Sequence, residues 1–480
     1  MSKARKTLLP HITLCEVTGE ADPAAKHVVT PRCNYFTKPI FDVEKNYRID
    51  NKPGWKAGRY NLFPVVLGDD GAPWAEATVY ILSRLENSVL PNMATYSSIA
   101  DDLAAYRRFL DESKLDWMVF PRNKFERPTY RYHGHLKLAV EAGKLAASTA
   151  KRRMGNVIAF YTWLRKSERV FEPEHEPWKE SDRYIDLTSG KGFRMSKRVT
   201  TTDISIAISK QDDPYDGVIE DGGKLRPLPT EEQEWLVDAL LAIDNTEMTL
   251  IHLFSMLTGA RIQSVLTCRV KHALLPYNER TMSEVRIPAG LGTGIDTKFD
   301  KNIVLHVPIW FQKLLRIYAF SERARKRRHR AVGGDTEDQY LFLSIRGAAM
   351  YRSKQNSRVF DEAYKLKHGK NGQGVREFID GRVIPYIREH NHPSFSYRFH
   401  DLRATCGMNA TDSQLKLVEE GETTLYEARE YVRTLLSHES SEQTERYLKF
   451  RERSKLVRKL ADDYDRHLRK VAERAMERVV

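Results

Sequence analysis

Four short patterns in the second half of the chain hold residue types that could act together on an anion. The first is LTGARIQSVL, with Arg261 read as lying on a helix just after Gly259, and the second is DTKFDKNIVLHVP, with Lys298 before a turn. The third, FHDLRATCGMNA, holds His400 and, three residues on, Arg403; the fourth, LLSHESSEQTERYLKF, holds His438 and, nine residues on, Tyr447. Guanidinium groups are permanently charged forks of donors that fit phosphate oxygens. Imidazoles exchange protons near neutral pH. A phenol with a pKa of about 10 is ionised to only about one part in a thousand at neutral pH. It attacks as a nucleophile only where its surroundings favour the phenolate or take its proton. His400 and Arg403 share a face if their segment is helical, which would set the histidine to orient the phenol or accept its proton. Taken singly, each pattern has an ordinary reading: a paired surface arginine, a chance HxxR in a basic helix, a half-buried tyrosine. Their order and spacing together are much harder to meet by accident.

In that order the patterns resemble the signature of the tyrosine recombinases, the phage-integrase family. TGARIQSVL resembles that family's first-arginine box, HDLRAT its HxxR box, and LSHESSEQTERYLKF its final His–Tyr box. LRPLPTEEQEWLVDAL resembles the start of its catalytic domain, and STAKRRMGNVIAFYTWLRKS the last helix of its core-binding domain. The resemblance spans roughly residues 77 to 455 and implies a site-specific DNA recombinase or integrase. Tyr447 would be the nucleophile, forming a 3′-phosphotyrosine with release of a 5′-hydroxyl. Arg261, Arg403 and His438 would hold the scissile phosphate. The hairpin lysine would be the general acid for the leaving oxygen. Lys298 is favoured for that role because Thr297 precedes it directly before the turn; Lys301 is the alternative by its spacing to Val307 and Pro308. Two departures stand out. Ser264 takes the place of a frequent Glu, which touches the local hydrogen bonding more than the activity, and Ser437 takes the place of a Gly. Bond energy is kept in the phosphotyrosine, so the resemblance implies neither metal nor ATP and no other cofactor. Its partners would be double-stranded DNA, further copies of the chain (a tetramer in the synaptic complex) and possible accessory proteins. The biological setting would be integration, excision or transposition of a mobile element. Two other functions fit similar residues: a type IB topoisomerase-like nicking-closing enzyme, and a non-catalytic DNA-binding regulator.

The elements that must position these residues read as mainly α with a small β-sheet. Residues 1–76 hold short β-like runs (HITLCEV, YNLFPVVLG) and no interpretable motif. Residues 77–170 show apolar residues three and four apart and form a basic helical domain, the expected core-binding DNA domain. Within it Ser148 is a plausible helix cap, and Lys151, Arg152 and Arg153 are expected to meet DNA phosphates. Such contacts give affinity and salt dependence rather than sequence choice. Residues 171–226, rich in charge, Pro and Gly, read as an extended linker with a strand or two. Residues 227–455 then form an α+β catalytic domain, opened by a helix capped at Thr230 with acidic first-turn residues. Residues 456–480 carry one apolar stripe and read as a C-terminal helix suited to docking on a neighbouring protomer.

Composition agrees with this outline. The 480 residues, 41% hydrophobic, are too many for one ordinary core. A formal charge of +13 favours a polyanionic partner. Cys15, Cys33, Cys268 and Cys406 are scattered, which suits a reducing cytoplasm. No signal peptide or membrane-length apolar run is visible. GLGTG fails the dinucleotide pattern, and His390 and His392 lack further ligands, so a solvated loop is the better reading there. The basic run Arg323–Arg330 reads equally as a solvated helix end or a phosphate-tracking stripe.

Overall fold

The structure is a computed structural model that describes residues 3–17, 35–36, 55–86, 92–166, 171–188, 194–207, 217–354 and 371–452. The chain divides into two units, one holding the described residues up to 207 and the other those from 217 onward. The fold is mainly α with small antiparallel sheets.

In the first unit, β1 (Arg5–Val17) pairs antiparallel with β3 (Trp55–Leu67), from Arg5 opposite Leu67 to Val17 opposite Trp55. The short β2 (Tyr35–Phe36) adds to the far edge of β1. The two β-like runs of the sequence fall in β1 and β3. Four helices follow: α1 (Ala75–Glu86), α2 (Met93–Ser113), α3 (Pro128–Glu141) and α4 (Ala147–Lys166). Asn92 caps α2 by accepting from the Ala94 N–H, and Pro128 opens α3, where its missing N–H costs nothing. Ser148 was expected as a cap, but α4 begins at Ala147 and takes Ser148 into its first turn.

The core of this unit is strongly aromatic. Trp74 packs edge-on against Phe160 at 5.2 Å and against Trp117 at 5.5 Å. Buried Tyr106 and Tyr161 share a hydrogen bond of 2.8 Å, and the Tyr161 hydroxyl lies within donating distance of the Trp117 carbonyl. The stretch expected as a linker contributes to this core, since Phe171, Trp178 and Ile204 are buried in it. Between them lies an antiparallel hairpin of β4 (Glu180–Thr188) and β5 (Arg194–Thr202).

The second unit opens with a two-residue-per-strand hairpin, β6 (Ile219–Glu220) and β7 (Lys224–Leu225). Helices α5 (Thr230–Ala242), α6 (Thr246–Thr258), α7 (Ile262–Thr267) and α8 (Val270–Ala273) follow. Thr230 is the first helical residue of α5 rather than its cap, a position taken by Pro229. The sheet is β8 (Glu284–Ala289) with β9 (Ile303–Pro308), paired from Glu284 opposite Pro308 to Ala289 opposite Ile303.

Next come α9 (Ile309–Phe320) and α10 (Glu322–His329), separated at Ser321, which caps α10 through the Ala324 N–H. Beyond them lie α11 (Gln373–Phe378), α12 (Ile384–His390), α13 (Asp401–Glu419), α14 (Leu425–Leu436) and α15 (441–452). One apolar core gathers α5, α6, the sheet and α9 around Leu236, Ile251, Phe254, Ile287 and Phe311. The expected C-terminal helix at 456–480 lies outside the described residues.

Candidate active site

Arg261 stands where α6 ends and α7 begins. Gly259 terminates α6 at φ +67, and a Cβ there would come within 2.6 Å of Leu436 Cδ2, so the close approach requires glycine. Arg261 is then the extended N-cap residue of α7 rather than a helical residue, which turns its side chain out of the helix ladder. Ser264, one turn on, donates to the Asp296 carbonyl at 2.7 Å. The Asp296 carboxylate in turn accepts from Ser353 Oγ and the Lys354 N–H. Ser264 therefore ties α7 to the loop that bears the candidate lysines.

That loop follows the glycine turn after β8 and runs from Thr297 to Lys301, with Phe299 and Asp300 both left-handed, at φ +61 and +56. The kink sends the two lysines to different partners. Lys301 Nζ forms an ion pair with Glu439. Lys298 Nζ points to the tip of the β6–β7 hairpin, where a Cβ on Gly222 would lie 3.2 Å from it.

His400 is the N-cap residue of α13, and Arg403 lies in the first turn. Arg403 is buried, and all three of its guanidinium nitrogens donate: Nη1 to the Gly259 carbonyl at 2.9 Å, Nη2 to the Leu436 carbonyl at 2.8 Å, and Nε to Asp221 at 2.7 Å. It thus joins the ends of α6 and α14. Ser437, left-handed at φ +52, ends α14 and delivers His438. Tyr447, on α15, is completely buried. Its ring lies over Gly407 of α13, where any Cβ would overlap it.

The centre of the site is a residue that the sequence did not single out. Asp221, 3% exposed, sits at the tip of the β6–β7 hairpin. Its Oδ2 accepts from Arg403 Nε at 2.7 Å, from the Tyr447 hydroxyl at 3.1 Å and from His438 Nε2 at 3.2 Å. Arg261 Nη2 is 3.6 Å from Oδ1. Because His438 Nε2 donates to the carboxylate, Nδ1 is left to accept from the Thr444 hydroxyl at 3.0 Å. Five of the six residues expected to act together thus face one small cavity or the carboxylate inside it, and His400 stands beside them with its Nε2 unpartnered.

Charge and burial set the protonation states. Burial alone would raise the Asp221 carboxyl, but the His438 hydrogen bond and the Arg403 charge overcome it and hold it well below the usual carboxylate range. Burial, reinforced by the Asp221 charge, pushes the Tyr447 phenol well above its ordinary value. His400 is driven down to about 4 by burial and then by the Arg261 and Arg403 charges, so it is a neutral acceptor at physiological pH. Burial also lowers His438, against the pull of Asp221. Lys298 is lowered by partial burial and by the Arg261 charge, which is the direction a proton donor to a departing alkoxide needs. Arg261 falls to about 10, through burial and then Arg403, and stays cationic at neutral pH.

Other expected residues have different surroundings. Arg152 donates to Asp102 at 3.0 Å, Arg153 lies 3.8 Å from the same carboxylate, and Lys151 is exposed. In the basic run, Arg323 and Arg327 both pair with fully buried Glu247, and Arg328 pairs with Asp335. Those three are structural counter-ions rather than a free stripe. His390 and His392 are exposed, and among the described residues no group of three or more His, Cys, Asp or Glu could hold a metal ion. Cys268 and Cys406 are buried, with thiols pushed up to about 12 chiefly by burial, so they are inert. Among the described residues no helix is long and apolar enough to cross a membrane.

The fold and site together define a protein that buries a tyrosine hydroxyl against a cluster of anion-binding donors. No family model matches the chain, and no curated protein matches it. Among solved structures it is similar to the XerH site-specific recombinase bound to difH substrate in a pre-cleavage complex, at 14% identity and a TM-score of 0.43, covering 77% of this chain and 81% of that one. It is similar to the Tn1549 transposon integrase (residues 82–397) in complex with circular intermediate DNA, at 14% identity and a TM-score of 0.42, covering 78% and 94%. A lambda integrase (75–356) dimer bound to a COC′ core site matches at 12% identity and a TM-score of 0.39, covering 76% and 93%. At such values the function is read from the site's own groups.

Proposed function

We propose that the protein is a site-specific DNA recombinase that cuts and rejoins strands through Tyr447. One observation carries this reading: the Tyr447 hydroxyl, Arg403 and His438 all donate to a single oxygen, with Arg261 beside it. Donors that converge on one anionic oxygen suit a phosphodiester whose charge is shared over its non-bridging oxygens. A nucleophile needs to stand at about that same distance from the reacting centre.

In the reaction, the Tyr447 oxygen attacks phosphorus and its proton passes to an acceptor in the site, a role we assign to neutral His400, whose Nε2 is unpartnered. The bond from phosphorus to the 5′ oxygen breaks, and Lys298 supplies the proton to that oxygen. Arg261, Arg403 and His438 neutralise the charge that builds on the non-bridging oxygens. The product is a 3′-phosphotyrosine and a free 5′-hydroxyl. Attack by another 5′-hydroxyl reverses each step, and the bond energy kept in the linkage drives rejoining without ATP.

The first unit would grip duplex DNA through its basic helices. The assembly would be a tetramer in synapsis, and the biological role the movement of a mobile element. The proposal is tested on duplexes selected for binding to the full chain and then nicked near the cleavage point, so that the cut fragment is lost. Wild type should accumulate a covalent protein–DNA adduct and Tyr447→Phe none. Absence of any adduct with wild type on its selected site would leave the regulator reading in its place, and relaxation of supercoils without strand exchange would favour the topoisomerase-like one.

A further inference from the structure

The Asp221–Gly222 turn fills the place that the proposed function gives to the scissile phosphate. Its carboxylate takes the donors of Arg403, His438 and Tyr447 on one oxygen and faces Arg261 with the other. The backbone beside it occupies the remaining side of the cradle. A Cβ on Gly222 would lie 3.2 Å from Lys298 Nζ and 3.9 Å from both Arg261 Nη2 and His400 Cε1. Gly222 is left-handed at φ +72, a conformation that side chains disfavour, so the turn fits the cradle because it carries no bulk there.

The hairpin is anchored from both sides. Ile219 is buried with Cys406, Met408, Val432, Leu436 and Tyr447. Arg446 Nη1 donates to the Glu220 carbonyl at 2.7 Å, and Arg398 Nη2 to the Lys224 carbonyl at 3.0 Å.

A catalytic role for this carboxylate is disfavoured by its charge. A carboxylate held below its usual range is a weak base, and its negative charge beside Tyr447 raises the phenol, opposing phenolate formation. A phosphodiester brought to the same donors would set a second negative charge against Asp221 in a buried site, where like charges repel strongly. Carboxylate and phosphate therefore exclude one another.

We infer that the Asp221–Gly222 turn is a built-in phosphate mimic that keeps the site closed, and that it must withdraw before a DNA phosphodiester can enter. The inference rests on the proposed function for the identity of the displacing ligand, and its consequences for anion binding can be read without any cleavage. Only the open fraction of the protein binds, so a turn seated about nine-tenths of the time weakens apparent affinity about tenfold.

Two variants open the site by different routes. Asp221→Asn removes the competing charge and keeps the shape. Gly222→Val keeps Asp221 and strains only the seated, left-handed turn. Binding of inorganic phosphate to the full chain is measured by calorimetry, with Arg403→Ala added to each variant to show that the gain arises in this cradle. Both variants should bind phosphate about tenfold more tightly than wild type, and the added Arg403→Ala should abolish the gain. On the nicked duplex both should form the covalent adduct faster than wild type. Failure of either variant to gain phosphate affinity overturns the inference. So does slower adduct formation by both, which would make Asp221 a positioning residue for Tyr447. If phosphate binding tightens in both but no protein forms an adduct, the mimic stands and the recombinase reading falls.

Discussion

Among the described residues each unit holds an aspartate buried against arginine side chains, and these two, Asp102 and Asp221, behave oppositely. Asp102, on α2 of the first unit, is 1% exposed and accepts from Arg152 and Asn156, with Arg153 at 3.8 Å. Its partners all come from α4, so the cluster stitches two helices together. Arg152 leaves about half its side chain in solvent, and burial prevails over its charge, so the Asp102 carboxyl is raised. Asp221 draws its partners from α13, α15 and the chain ahead of α7 and α15, and its carboxyl is held low. The first arrangement braces α2 against α4 within its own unit. The second collects the very groups that the proposed chemistry needs. Burial of a carboxylate among arginines is therefore not by itself a sign of function; what separates the two is which partners converge and on which atom.

The largest expected effect breaks that comparison if it fails. Arg403→Ala should slow single-turnover adduct formation about 10²- to 10³-fold, as loss of an oxyanion donor does. It should also lower thermal stability, because Asp221 and the carbonyls of Gly259 and Leu436 lose their partner. Arg152→Ala, measured at saturating DNA, should leave the rate within about twofold of wild type, since its bonds go to Asp102 and Ser98 of α2 and to none of the groups around Asp221. Equal losses in the two variants would erase the distinction between brace and site.

The lysines sharpen it next. Both lysines line the cavity, but Lys298 lies against Gly222 while Lys301 is held in an ion pair with Glu439. Lys298→Ala should lose most cleavage of a normal 5′ oxygen and recover it with a 5′-bridging sulfur, which leaves without a proton. Lys301→Ala should keep most of its activity. The reverse pattern would transfer the role to Lys301.

A smaller effect separates the carboxylates by pH. Asp221 is lowered in the folded protein, so the stability it contributes is present above the ordinary carboxylate range and is lost as pH falls through its folded value. Asp102 is raised, so its contribution is present below the ordinary range and is lost as pH rises through its folded value. On acidification from neutral pH, urea midpoints of wild type should therefore fall relative to Asp221→Asn and rise relative to Asp102→Asn. Parallel curves would mean that the two sites are electrostatically alike.

Much of the second unit's site was legible because its groups lie in short local patterns. His400 and Arg403 are three apart across a helix start, and His438 and Tyr447 flank a helix end and the next helix, so spacing alone brings them near. The duty of Gly259 and Gly407, which leave room for Leu436 and for the Tyr447 ring, shows only in the folded chain. Asp221 was not legible. Its bonds reach 182 residues to Arg403 and 226 to Tyr447, and an Asp-Gly-Gly tip in a charged stretch reads as an ordinary turn. The structural duty of Arg323, Arg327 and Arg328 was hidden for the same reason, since Glu247 and Asp335 look like surface acids in the sequence. Periodicity found the helices of the first unit, while the packing of Phe171, Trp178 and Ile204 into its core depends on contacts that no local pattern encodes.

The smallest expected effect tests whether the brace around Asp102 also meets DNA. Lys151 is exposed, whereas Arg152 serves Asp102 and Ser98. A residue that only contacts phosphate should weaken binding to all duplexes alike and reduce the slope of log affinity against log salt by about 1. Lys151→Ala should do so with unchanged thermal stability. Arg152→Ala should lower the melting temperature whether or not it changes the slope, because Asp102 loses a charged partner while staying buried. A slope change in Arg152→Ala of the same size as in Lys151→Ala would show one side chain serving both ends, with its exposed half free to reach a phosphate. A stability loss alone would confine it to the brace and leave Lys151 as the phosphate contact on that turn of α4.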